Sequence, residues 1–340
     1  MPSIESSPSA PSSPSMHAIR VTRPGGPEEL RPERIGRPAP GPGEVLVRNA
    51  AVGVNFIDVY YRDGTYAAQA PFTPGQEGAG VVEAVGEGVT GLTAGARVAY
   101  TGQLGAYADF TVVPEAKLIP VPDGVDLRQA AAVALQGIAA HYLTHETHPV
   151  AEGETVVVLA AAGGLGRFLV QLAAHRGARV IAVASTPEKR KTALDAGAEH
   201  AIGYEEFDGT VRSLTDGRGA HAVYDSVGAP TYLSSLRALR RRGTLVVCGL
   251  SGGQVPPLDI ELLRGAGSVF LTRPTMKDYV YDAETLRAAG EAVFGYLAAG
   301  VIRPLLHDVL PLQEAAGAHQ LLESRATEGK LLLIPADERS

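Results

Sequence analysis

The sequence predicts an α/β fold in two units, and three observations carry that prediction. First, 340 residues are more than one hydrophobic core comfortably serves. Second, the first half holds short β-type runs broken by Gly and Pro, the pattern of a compact antiparallel or barrel-like β unit. Third, from Thr155 onward short apolar strands alternate with amphipathic helices, which predicts a parallel sheet covered on both faces.

The elements follow in chain order. Residues 1–15 are mostly Ser and Pro and cannot bury enough apolar surface to offset ordering, so a disordered tail is expected. This stretch lacks the basic start and continuous apolar run of a secretory signal. Strands are expected at 17–21, 44–54, 80–85, 97–100 and 106–113, and an Ala-rich helix at 127–145 bridges to the second unit. There, strands are expected at 155–160, 179–184, 200–204, 221–226, 244–249 and 268–272. Helices are expected at 165–176, 187–196, near Val211, at 231–240 and at 283–299. Six such strands are the number of a complete doubly wound parallel sheet of the Rossmann type. After 301 the mixed strand and helix character returns, which predicts that the C-terminal segment completes the first unit. The expected division is 16–136 with 301–340 for one domain and 137–300 for the other.

Composition narrows the function classes. Hydrophobic residues make up 45% and charged residues 20%, ordinary for a globular chain. A formal net charge of −7 argues against a broad electrostatic grip on nucleic acid or an anionic membrane. Cys248 is the only cysteine, which rules out an intramolecular disulfide and a Cys-rich metal site and suits a reducing cytoplasm. The most apolar region, 155–185, is interrupted by Gly163, Gly164, Arg167, His175 and Arg176, so it reads as a buried strand-helix-strand unit rather than a membrane span.

Between the first strand and first helix of that unit lies Ala161-Ala162-Gly163-Gly164-Leu165-Gly166. This is the G-x-G-x-x-G pattern with Ala161 in the first glycine place. Backbone N–H groups must approach a pyrophosphate at a helix N-terminus without intervening side chains, and Gly166 allows the helix to pack closely on the sheet. At the end of the second strand an NAD site usually places an acidic residue for the ribose 2′-hydroxyl. Here the chain reads Ala184-Ser185-Thr186-Pro187-Glu188-Lys189-Arg190. No carboxylate stands at the strand end to repel a 2′-phosphate, Ser185 can donate a hydrogen bond, and Lys189 or Arg190 can supply positive charge. These features favour NADPH.

Several segments now add to one another: GVNFIDVY (53–60), GQEGAG (75–80), LGAYADF (104–110), AAGGLG (161–166), YDSVG (224–228), TRP (272–274) and LLESRATEGKLLLIP (321–335). Together they resemble the medium-chain dehydrogenase/reductase superfamily, and within it the zinc-free quinone oxidoreductase branch that includes ζ-crystallin, from about Ala18 to Pro335. The resemblance implies a Rossmann doubly wound parallel sheet plus a GroES-like β-barrel-type catalytic domain. Zinc-dependent members hold the metal with Cys, His and Cys; the corresponding places here look like Asn55, Gln76 and Gln136, none a good zinc ligand. The cysteine-rich structural-zinc loop is missing too. His141, His145 and His148 do not have H-E-x-x-H spacing, so no metal is expected. Relatives often carry Lys where Gln136 stands and can carry Tyr where His141 stands.

Without zinc, an alkoxide-like charge on a simple carbonyl lacks its Lewis acid. Hydride addition to a quinone develops a delocalised, weakly basic phenolate that ordinary hydrogen-bond donors stabilise, and conjugated enals and enones behave alike. The resemblance selects quinone. It places Asn55, Tyr60 and Tyr66 in the catalytic cleft, Asn55 and Tyr60 orienting nicotinamide or substrate and Tyr66 stacking on a flat quinone. It implies cofactor contacts from Asn55, Tyr60, Tyr142, Gly163, Gly164, Leu165, Gly166, Ser185, Thr186, Lys189, Tyr204, Ser226, Gly249, Arg273 and Arg325. The expected function is therefore NADPH-dependent quinone reduction. The alternatives are reduction of conjugated enals or enones and a crystallin-like structural or RNA-binding role. No nucleic acid and no membrane is expected as a partner. The final strand, 268–272, is an apolar edge that a symmetry mate would cover, so a homodimer is expected.

Overall fold

The computed structural model of the chain describes residues 14–336. The expected tail at 1–15 lies outside the described residues except for Pro14 and Ser15. Ser15 already opens the first strand, β1 (Ser15–Arg20), which pairs antiparallel with β2 (Arg31–Gly36).

The long strand β3 (Glu44–Val54) leads directly into a short helix, α1 (Phe56–Arg62). Around β3 are arranged β4 (Glu77–Val85), β5 (Arg97–Thr101), β6 (Phe110–Pro114) and β7 (Leu118–Pro120). The strand expected at 106–113 begins only at Phe110. Before it, Ala106–Asp109 bridges separate segments, with Tyr107 N–H donating to Pro74 O and Asp109 N–H to His17 O.

Helix α2 (Leu127–Tyr142) is started by Asp126, whose carboxylate accepts from the Arg128 and Gln129 N–H groups. It ends three residues before the expected 145, where a π-type turn takes over. Ala130, Ala131, Ala132, Val133 and Ala134 are all buried, as expected for a helix with neighbours on every side. It packs against β3, β4 and β5 on one side and against the later helices on the other. Small side chains permit both approaches, and one hydrophobic core therefore runs through Ala51, Ala79 and Ala99 to Val156 and Val158.

The second sheet alternates as its sequence predicts. In order come β8 (Thr155–Leu159), α3 (Gly164–His175), β9 (Arg179–Val183), α4 (Pro187–Asp195), β10 (His200–Ile202), α5 (Phe207–Leu214), β11 (Ala220–Asp225), α6 (Tyr232–Ala238), β12 (Leu239–Val247), α7 (Glu261–Gly265) and β13 (Phe270–Thr272). All six strands are parallel, in the order β10-β9-β8-β11-β12-β13. This is the Rossmann order, with its reversal beside β8. One strand differs from expectation: β12 starts at Leu239 rather than near Thr244. The chain pairs at Ala220 with Leu239, then bulges before Thr244, with Arg242 at φ 60°.

After α8 (Ala283–Ala298), the chain returns to the first sheet through β14 (Leu306–Pro311), α9 (Ala315–Glu323) and β15 (Lys330–Ile334). The seven-stranded order is β14-β15-β3-β4-β5-β7, with β6 also on β3. β15 lies antiparallel to β3, pairing Leu331 with Val54. That register carries Lys330 to the level of Asn55. No helix among the described residues is long and apolar enough to cross a membrane.

Candidate active site

The glycine loop sits where β8 ends. Ala160 takes φ 48°, a left-handed conformation uncommon for a residue with a side chain, and turns the chain toward α3. The first helix-type bond of α3 runs from Arg167 N–H to Gly163 O at 2.9 Å. The N–H groups of Gly164, Leu165 and Gly166 therefore face the end of the helix without intrahelical acceptors. A Cβ at Gly166 would collide with Ala160 O, and one at Gly164 would collide with the Gln136 carboxamide. This close approach of backbone, strand and a side chain from α2 is what the two glycines permit.

Residues expected to touch the cofactor line the carboxyl ends of the parallel strands. Ser185 follows β9 and is exposed, while Arg190 Nη1 donates to Ser185 O at 3.4 Å. Thr186 caps α4, its hydroxyl accepting from Lys189 N–H at 3.2 Å. The Lys189 ammonium donates to Arg325 O, and partial burial holds its pKa below the ordinary lysine value. Tyr204, beyond β10, accepts from Ala160 N–H at 3.0 Å. Ser226 donates to Leu159 O at 3.4 Å, and Gly249 lies against the Ser226 backbone. Arg273 Nη1 donates to Val247 O at 3.3 Å, and Arg325 Nη2 donates to Ser251 O at 3.1 Å. The segment before β15 thus spans this edge, with Gly329 N–H bonded to Ala162 O at 2.8 Å and Thr192 donating to Glu328.

The residues expected at the catalytic cleft lie on α1 and its neighbours. Asn55, 3% exposed, is the N-cap of α1. Its Nδ2 donates to Glu77 Oε1 at 2.7 Å, and its Oδ1 accepts from Gln136 Nε2 at 3.0 Å and from Lys330 Nζ at 2.7 Å. Lys330 also donates to Glu77 Oε1, and Leu135 N–H donates to Glu77 Oε2 at 2.7 Å. Tyr60 and Tyr66 meet edge to face at 5.4 Å, and Tyr61 meets Tyr66 at 5.7 Å. Burial pushes the Tyr60 hydroxyl up to about 12, although the Leu250 backbone and Arg273 nearby act the other way. The Tyr60 hydroxyl therefore stays protonated. Tyr142 is buried and stacks on Tyr279 at 4.3 Å.

Behind α1 lies a second polar layer. Asp58 Oδ2 accepts from Asn55 N–H at 2.9 Å and from the Tyr107 hydroxyl at 3.2 Å. That hydroxyl also meets His319 Nε2 at 3.1 Å, and Arg62 forms a two-point bridge to Glu323 at 2.8 and 2.9 Å. Burial pushes the Asp58 carboxyl up to about 7 and the His319 ring down to about 3. Neither Glu77 nor Lys330 is assigned a role by the sequence. The signal available was only the presence of a glutamate in GQEGAG and a lysine in TEGKLLL, and a lysine there reads as solvated.

The donor set does not fit zinc. Two of the three residues at the expected ligand places, Asn55 and Gln136, bond to one another, and an ammonium sits on the Asn55 oxygen. The third, Gln76, is buried, and its carboxamide is a poor zinc ligand. The histidines take separate partners: His145 Nε2 meets Tyr296 Oη at 3.1 Å and His148 Nε2 meets Glu154 Oε2 at 3.0 Å. Among the described residues no group of three or more His, Cys, Asp and Glu could hold a metal ion.

Comparison with known proteins agrees with this architecture. A family described as "Alcohol dehydrogenase GroES-like domain" matches residues 41–123, and one described as "Zinc-binding dehydrogenase" matches residues 164–290. The chain is 44% identical to a quinone oxidoreductase of Pseudomonas aeruginosa over 321 residues, 93% of this chain and 99% of that protein. It is 40% identical to a 2-haloacrylate reductase of a Burkholderia species, over 94% of this chain and 98% of that protein. The crystal structure of Escherichia coli quinone oxidoreductase complexed with NADPH superposes with a TM-score of 0.91 at 38% identity, covering 94% of this chain and 100% of that one. With a Rossmann sheet, a GroES-like unit and these relatives along nearly its whole length, the chain belongs to the quinone oxidoreductase branch of the medium-chain dehydrogenase/reductase superfamily.

Proposed function

We propose that the protein is an NADPH-dependent quinone reductase that works without a metal ion. The observation that carries this reading is Gln136, which touches the glycine loop at Gly164 and the Asn55 amide at once. It joins a nucleotide-binding helix start to a site made of carboxamides, an ammonium and phenols rather than zinc ligands. In this reading Gly163, Gly164, Leu165 and Gly166 present N–H groups to the pyrophosphate. Ser185, Thr186 and Lys189 take the 2′-phosphate, with Tyr204 and Arg325 flanking the adenosine end. Ser226, Gly249, Arg273 and Tyr142 line the way toward the nicotinamide. When bound, NADPH supplies the hydride, and a proton from water completes the two-electron reduction to hydroquinone.

The chain's own residues hold and orient. Asn55 and protonated Tyr60 donate to the oxygen on which charge develops, and Tyr66 offers an aromatic edge or face to a flat ring. A quinone needs no stronger acid, because its reduced oxygen is a delocalised phenolate. The 40% identity to a 2-haloacrylate reductase favours conjugated alkenes as a second acceptor class. We assign the units as residues 16–136 with 301–340 and residues 137–300, and we assign the protein to the cytoplasm as a homodimer. NADPH oxidation measured with p-benzoquinone and 9,10-phenanthrenequinone against crotonaldehyde and a simple enone tests the reading. Turnover of both quinones is expected; turnover of enones but neither quinone would replace it with the second class.

A further inference from the structure

Lys330 is 1% exposed at its side chain, and its partner Glu77 is 0% exposed. A buried ion pair recovers its desolvation cost only when further hydrogen bonds satisfy both groups. Here those bonds converge on one amide. Asn55 Oδ1 accepts from Lys330 Nζ and from Gln136 Nε2, which occupies both lone pairs of that oxygen. Asn55 Nδ2 places one of its two N–H bonds on Glu77 Oε1. If the amide turned over, its NH2 group would face an ammonium and a carboxamide N–H, and its oxygen would face a carboxylate. Only one orientation is tolerated.

We propose that Lys330 is a positioning residue for hydride transfer: with Gln136 it locks the Asn55 amide so that Asn55 can only donate, through its second N–H, to the ligand in the cleft. This rests on the reductase reading above and deepens it. The lock reaches the nucleotide loop as well, because Gln136 lies against Gly164. A fixed donor matters where negative charge grows on an acceptor oxygen, since a preorganised N–H needs no reorientation as the charge develops. It matters less for holding NADPH, which the strand ends and glycine loop grip elsewhere.

A double-mutant cycle tests this. Lys330→Met is expected to lower kcat with the quinone by about tenfold or more, with NADPH affinity changed less than about threefold. In an Asn55→Ala background the same change is expected to cost nothing further, because Lys330 acts through the missing amide. Lys330→Met/Glu77→Gln leaves no unpaired buried charge, so it is expected to regain thermal stability while kcat stays low. This double variant carries the test alone if Lys330→Met does not fold. Equal losses in both backgrounds, or wild-type kcat in the Lys330→Met/Glu77→Gln protein, would overturn the proposal. If wild-type protein reduces enals and no quinone, the reductase reading changes its substrate, and the same cycle run with the enal still decides the role of Lys330. The Asn55 side-chain amide resonances, assigned by their loss in Asn55→Ala, read the lock with no acceptor present. They are expected to move in Lys330→Met/Glu77→Gln relative to Glu77→Gln, and unchanged resonances would contradict the lock.

Discussion

Ser185 stands past the last residue of β9, exposed, with the ammonium of Lys189 held nearby against Arg325 O. A carboxylate at position 185 would meet a 2′-phosphate with like charge, whereas the ribose hydroxyl of NADH would accept it as a partner. Ser185→Asp is therefore expected to raise KM for NADPH by about 10- to 100-fold, the size of one charge-assisted hydrogen bond, while KM for NADH stays level or falls. Steady-state kinetics with the two coenzymes in parallel measure it; an unchanged NADPH preference would remove Ser185 from the site. The placement of Ser185 and Lys189 just beyond β9 was legible in the sequence because loop, strand end and basic helix start are local to 161–190. Lys330 was not legible. Its burial arises when β15 pairs with β3, which brings it to Asn55 from 275 residues away.

At the scale of the element, α1 is tied to α9 by two buried groups whose protonation is reversed from the ordinary. Asp58 is raised from 3.8 to about 7 by burial, so its contribution to stability is present below about pH 4 and is lost as pH rises through about 7. His319 is lowered from 6.5 to about 3 by burial, so its contribution is present above about pH 6.5 and is lost as pH falls toward 3. Between about pH 4 and 6.5 the two slopes oppose and nearly cancel. Asp58→Asn removes the first and leaves the second. Relative to the parent, the variant is expected to lose stability on acidification from pH 6.5 to 4.5 by roughly 1.4 kcal/mol per pH unit. Denaturant midpoints at several pH values measure this, and parallel pH profiles for the two proteins would contradict it. Most strands and helices were legible in the sequence, apart from the late start of β6 and the early start of β12, but α1 was not, because its seven residues are too few to show a helical period. The pairing of Arg62 with Glu323 and of Tyr107 with His319 was not, since separations of 261 and 212 residues leave no local pattern.

For the whole molecule, the sequence rhythm foretold the parallel sheet and the return of the C-terminal segment to the first sheet. The shared core along α2 follows from its run of alanines, which serves both sheets at once. The sheet edge also matches expectation: β13 is the outermost strand, with Phe270 59% and Leu271 39% exposed. If that edge pairs with a second copy, Phe270→Glu is expected to convert a dimer into a monomer, with mass by light scattering falling by half at micromolar concentration. A monomeric parent protein would contradict the assignment. Reduction without a metal is proposed at the site where Asn55, Gln136 and Lys330 hold one another. It is tested most directly by turnover of 9,10-phenanthrenequinone with NADPH and with NADH, on protein dialysed against a chelator and assayed for zinc. The account predicts full activity in zinc-free protein and kcat/KM at least about tenfold higher with NADPH. Activity that is lost with the chelator and restored by zinc would contradict it.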